Sequence, residues 1–138
     1  MAACMPCELE NVDEAAIVYR DETWGCEVAN GYEVPGWYIL RLRRHAEGWS
    51  GLTPQEASEF GVVSQRIATA IQEATGAPTV YLMSFGENYK HFHFLVITRP
   101  VDLDPAFKSA GILAKAAEGK DREAALAAAG EVRAALAR

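Results

Sequence analysis

The chain has 138 residues, enough for one domain and too few for two comfortable ones. Half of it is hydrophobic, yet no apolar run approaches the ~20 residues of a membrane helix. A formal charge of −6 argues against a general nucleic-acid binder, whose partner demands a basic surface, but leaves room for a small phosphorylated ligand.

Residues Met1 to Glu10 carry neither the basic nor the apolar stretch of a signal peptide, so a cytoplasmic location is expected. With three cysteines in a reducing compartment, a disulfide framework is not expected. Cys4 and Cys7 form a C-x-x-C. Cys26 stands alone and reads as a small buried hydrophobe.

Ala16 to Tyr19 reads as a short strand, Asp21 and Glu22 as a turn, and Trp24 to Ala29 as a second strand. Asn30-Gly31 and Pro35-Gly36 are turn signals. Trp37 to Arg43 alternates: Tyr38, Leu40 and Leu42 on one face, Ile39, Arg41 and Arg43 on the other. Arg41 is read as a solvated strand residue, with phosphate neutralisation as the alternative. His45 continues its parity.

A long helix begins at Thr53, a good N-cap, with Pro54 at the first helical position and Glu56 completing a capping box. Ala57, Phe60, Val63, Ile67, Ala70, Ile71 and Ala74 recur at helical spacing, and Gly76 and Pro78 stop it. Thr79 to Phe85 reads as a strand, Gly86 to Lys90 as a loop, and His91 to Thr98 as a strand. Asp104-Pro105 opens an expected helix ending near Gly119, and Asp121 caps another, alanine-rich one. Residues 1–103 are thus expected to form the domain, and 104–138 a helical extension packed on it or on a partner subunit.

The chemistry concentrates in Lys90-His91-Phe92-His93-Phe94-Leu95-Val96. In a strand His91, His93 and Leu95 share one face, the imidazoles about 7 Å apart along the strand, and Phe92, Phe94 and Val96 share the other. The third histidine, His45, ends the other well-formed strand and approaches His91 if the two strands pair antiparallel. Cys4, Cys7, His45 and His91 are together a donor set suited to tetrahedral zinc. The rival reading of the C-x-x-C is a redox pair, although no helix of the thioredoxin kind follows it. Four protein ligands leave a zinc ion no open position for water, so the expected zinc is structural.

From Cys4 to Pro100 the chain resembles the zinc-containing branch of the histidine-triad superfamily. The resemblance rests on the opening C-x-x-C, Val18-Tyr19-Arg20-Asp21-Glu22, Pro35-Gly36, Arg43-Arg44-His45, Leu52-Thr53-Pro54-Gln55-Glu56, and the run from Gly86 to Leu95 that ends in Thr98-Arg99. It implies an α+β fold: an antiparallel sheet of about five strands, one long helix across it, and helical C-terminal additions. It also implies a homodimer, a structural zinc on Cys4, Cys7, His45 and His91, and a nucleophile at His93. In such proteins that histidine attacks the α-phosphorus of a nucleotide, and water cleaves the nucleotidyl-histidine. Neutral imidazole suits this role at pH 7.

The expected activity is that of a nucleotide hydrolase or transferase acting on a phosphoanhydride or phosphoramidate. Asn88, Lys90 and Arg99 are the expected substrate-binding residues. Three positions depart from the pattern: Leu95 stands for the third histidine, Glu87 and Asn88 for a phosphate-contacting Gln-Ser, and Ala29 for a ribose-binding acid. The alternative they support is a catalytically impaired nucleotide-binding or interaction protein of the same fold.

Overall fold

A computed structural model describes residues 3–138. Strand alternation and antiparallel pairing account for its centre. The strands are β1 (Ile17–Arg20), β2 (Trp24–Glu27), β3 (Trp37–Leu42), β4 (Val80–Met83) and β5 (His93–Thr98). They form one sheet in the order β1-β2-β3-β5-β4, and every neighbouring pair is antiparallel. β3 is the middle strand, and all six of its residues are buried. The five-stranded α+β architecture read from the sequence is the one observed.

The register of β3 on β5 sets Leu40 opposite Phe94, Ile39 opposite Leu95 and Arg41 opposite His93. Tyr38, Leu40, Leu42, Phe92 and Val96 lie in the main core, which also holds Trp24 and the buried Cys26. Over this face runs a 22-residue helix, Pro54–Thr75, which buries Val63, Ile67, Ala70 and Ile71. Its ends are those the sequence marks. Thr53 Oγ1 accepts from the Glu56 N–H, the Glu56 carboxylate accepts from the Thr53 N–H, and Gly76 stops the helix at φ +72°.

The C-terminal helix, Arg122–Ala137, is capped by Asp121 and buries Ala125, Ala129, Val132 and Ala135 in the same core. It packs on the long helix and on β1. Small side chains at these positions let the helix axis come close to its neighbours.

The segment 104–119 differs from expectation. It is not one α-helix but two tight 3-10 stretches, Pro105–Phe107 and Ser109–Lys115. Lys108 is extended between them and Ser109 takes a φ of +60°. Alanine content favours a helix here, but docking of Ile112 among Val34, Trp37, Ile97 and Leu103 sets the local path instead.

The opposite face of the sheet presents Ile39, Arg41, His93 and Leu95. An N-terminal strap crosses it: a one-turn helix, Met5–Glu8, followed by the 3-10 turn Leu9–Asn11. Leu9 is buried against Ala29 and Ile39, with Met5, Val12 and Leu95 packed around them.

Candidate metal centre and active site

Cys4 and Cys7 flank the turn of the strap helix, and residues three apart in a helical turn share a face. His45 follows β3 and His91 precedes β5, so the antiparallel pairing of those strands brings the two rings to 5.0 Å between centroids. His91 lies just outside the strand in which it was expected, in an isolated bridge with Glu47. The Cys4 Sγ lies 3.6 Å from Nδ1 of His45 and 3.3 Å from Nδ1 of His91. The Cys7 Sγ lies 3.3 Å from each. Zn–S bonds of ~2.3 Å and Zn–N bonds of ~2.0 Å at a tetrahedral angle require sulfur and nitrogen to stand about 3.5 Å apart.

The far ring nitrogens are held as a metal site needs. The His91 Nε2–H donates to the Leu42 carbonyl at 2.6 Å, and His45 Nε2 meets a Glu47 carboxylate oxygen at 3.3 Å. Each contact turns the Nδ1 lone pair inward. Burial holds the His91 ring below its ordinary pKa and favours the neutral form. Burial and the adjacent Cys4 push the Cys7 thiol up to about 11, so a cation is required to hold that sulfur as a thiolate. Donor types, spacing and tautomers fit a closed, structural zinc site.

His93 begins β5, beyond the metal ligands. Its Nδ1–H donates to the His91 carbonyl at 2.6 Å. In the neutral ring this leaves the lone pair on Nε2. The imidazole lines a cleft of ≈ 180 Å³ that also takes in Ala29, Glu87, Asn88 and Leu95. The loop carrying Glu87 and Asn88 is pinned at both ends: Ser84 Oγ donates to the His93 carbonyl at 2.9 Å, and the Gly48 N–H to the Lys90 carbonyl at 3.1 Å.

Two of the expected phosphate-binding residues do not reach this cleft. The Lys90 side chain is exposed and does not line it. Arg99 follows the far end of β5, six residues from His93, and its Nη1 donates to the carbonyls of Pro100 and Val101 at 2.9 and 3.2 Å.

Arg41 is not solvated. It is completely buried beside an equally buried Glu27, to which its Nε and Nη2 donate at 2.9 and 2.7 Å. Glu10 of the strap approaches the same Nη2 at 2.7 Å and also accepts from Nε and Nη2 of Arg43. Arg20 joins through Glu27 and donates to the Leu9 carbonyl. The reason is strand parity plus cover: Arg41, Glu27 and His93 share a face, and the strap closes over the charged part of it. Gly25 makes the space, since a Cβ there would stand 2.6 Å from a Glu27 oxygen and 2.9 Å from Arg41 Nη2. This ion cluster is absent from the sequence-based site; its signal was a pair of opposite charges on one face of adjacent strands, diagonal in register, with Glu27 opposite Ile39 and Arg41 opposite Gly25.

Neither a family model nor a curated relative matches the chain. Solved structures do. The chain is similar to a hypothetical histidine triad nucleotide-binding protein from Sulfolobus tokodaii, with a TM-score of 0.76 and 19% identity over 97% of this chain and 92% of that one. A zinc-bound histidine triad family protein from Mycobacterium smegmatis gives 0.71 and 20%, over 98% and 94%. Plasmodium falciparum diadenosine triphosphate hydrolase gives 0.65 and 12%, over 89% and 77%. Identities this low speak for the backbone architecture, and on that evidence the chain has the histidine-triad fold.

Proposed function

We propose that the protein is a nucleotide hydrolase or nucleotidyltransferase whose nucleophile is His93. The observation that carries this reading is the ring's setting: a carbonyl fixes Nδ1 as the donor, so Nε2 offers its lone pair at the wall of a cleft. Nε2 attacks the α-phosphorus of a nucleotide, the Nε2–P bond forms, and the bond to the leaving oxygen or nitrogen breaks. Water then adds to phosphorus, the Nε2–P bond breaks, and the monophosphate departs with His93 restored. Asn88 lines the cleft as a hydrogen-bonding partner for the ligand. Zinc, when bound at Cys4, Cys7, His45 and His91, supplies rigidity and no reactive position, since the four ligands fill its coordination. The similar solved structures include nucleotide-binding and nucleotide-hydrolysing proteins by their descriptions, which supports the nucleotide as ligand.

A second reading, a nucleotide-binding protein without turnover, is favoured by one observation. Leu95, next to His93 on the same face, packs into the apolar cluster of Leu9, Ala29 and Ile39 and supplies no hydrogen bond to phosphate. Labelled nucleotide substrate mixed with the zinc-loaded protein and quenched in base, which preserves P–N bonds, separates the two. Label is expected on the wild type and not on His93→Ala, with equal zinc content in both. Label retained by His93→Ala would sink the nucleophile assignment. Ligand binding without label in the wild type would select the second reading.

A further inference from the structure

The charge balance of the cleft bears on which phosphates it accepts. Among the described residues that line it none is lysine or arginine, and one, Glu87, is acidic. The arginines that strand parity and sequence bring near this face are already engaged. Arg41 is locked between Glu27 and Glu10, Arg43 is held by Glu10, and Arg99 turns to its own following carbonyls. The loop that carries Glu87 is anchored at Ser84 and Lys90.

Apart from Asn88, His93 and the tyrosines, the rest of the wall is apolar. Met5, Trp37, Ile39 and Leu95 form its inner part. Tyr32 and Phe85 stand at the mouth, 44% and 61% exposed, as large rings left partly uncovered. Such surface fits a flat ring system slid between aromatic and aliphatic side chains. A chain of phosphates needs the reverse, a clamp of fixed positive charge.

Resting on the reading that His93 meets a phosphorus atom, we propose that the cleft selects a flat-ringed ligand carrying a single phosphate and that Glu87 is the specificity-determining residue. Its carboxylate repels a second or third phosphate and tolerates a neutral or cationic group on the far side of phosphorus. The substrate class is therefore a monophosphate ester or amide, and polyphosphates are excluded.

Calorimetric titration of the full zinc-loaded chain with adenosine, AMP, ADP and ATP, without divalent cations, tests this. AMP should bind more tightly than ADP, and ATP about tenfold or more weakly than AMP, a gap that narrows as salt screens the carboxylate. Glu87→Gln should close most of that gap, leave adenosine affinity unchanged, and melt at the wild-type temperature because the side chain is exposed. ATP binding as tightly as AMP in the wild type, or an undiminished gap in Glu87→Gln, would overturn the proposal. Base-stable label on His93 together with no AMP preference refutes the selectivity and keeps the nucleophile. The preference without label does the opposite. Failure of all three nucleotides to bind overturns both.

Discussion

Replacing Glu27 by glutamine keeps the side chain's shape and removes its charge. Both Glu27 and Arg41 are fully buried, and Arg41 makes two hydrogen bonds to Glu27. Removing one partner of a buried pair costs about 3–5 kcal/mol, because the other charge stays in a poor solvent. Arg41 retains Glu10 at 2.7 Å, itself 34% exposed, which places Glu27→Gln at the lower end, about 3 kcal/mol. For a chain of this length that corresponds to a fall in Tm of about 10 °C. The double variant Glu27→Leu/Arg41→Met removes both buried charges. It should lie within about 1 kcal/mol of the wild type, since an apolar pair of similar volume replaces a buried ion pair at little net cost. The balance is helped by Arg41 Nη1, which is buried with no hydrogen-bond partner among the described residues and so gains nothing from its position. Thermal and urea unfolding at matched zinc content measure both. Equal destabilisation by the single and double variants would show that the cluster stabilises on balance, and a single variant costing under about 1 kcal/mol would show that the guanidinium stays hydrated.

Purified protein should contain about one zinc per chain, and Cys4→Ser or His45→Ala should lower zinc content and Tm together, because metal binding adds to folding. Full occupancy in either variant would remove that residue from the ligand set. Hydrogen bonding from Arg43 holds Glu10, and from Arg44 holds Glu56, down to about 2 from an ordinary 4.5. A depressed carboxyl pKa gives stability that is complete above about 4.5 and lost as pH falls towards 2. The stability difference between wild type and Glu56→Gln should therefore shrink across that window in acid unfolding, and a difference independent of pH would be inconsistent with the pairing. Leu95→His sets a polar ring among Leu9, Ala29 and Ile39 and should lower Tm by several degrees, about 1 kcal/mol or more. An unchanged melting curve would mean that the cluster opens to water at that point.

Features written in local chemistry were legible in the sequence. The long helix could be bounded at Thr53 and Gly76 because caps depend on a few adjacent residues. The zinc quartet could be assembled because only antiparallel pairing of two strong strands was needed to join His45 to His91. Arg41 could not be placed. Its alternation is that of any half-solvated strand, and its burial depends on Glu10, supplied by a strap that folds over from the start of the chain. Arg99 misled for a geometric reason: six residues of extended chain separate it from His93 by about 20 Å, so sequence proximity to the motif did not become spatial proximity. In the segment 104–119 helix propensity lost to the docking of one side chain, Ile112.

The metal centre also joins distant parts of the chain, since Cys4 and His91 are 87 residues apart. A clip across such a span removes much of the freedom of the unfolded chain, about 4–5 kcal/mol by ring-closure entropy. The order of events during synthesis follows. The two thiols and His45 are made well before His91, so the ligand set is incomplete until the chain reaches the start of β5. Zinc capture is thus a late, whole-chain event of long loop closure, and the slow phase of refolding should be the one that depends on free zinc concentration.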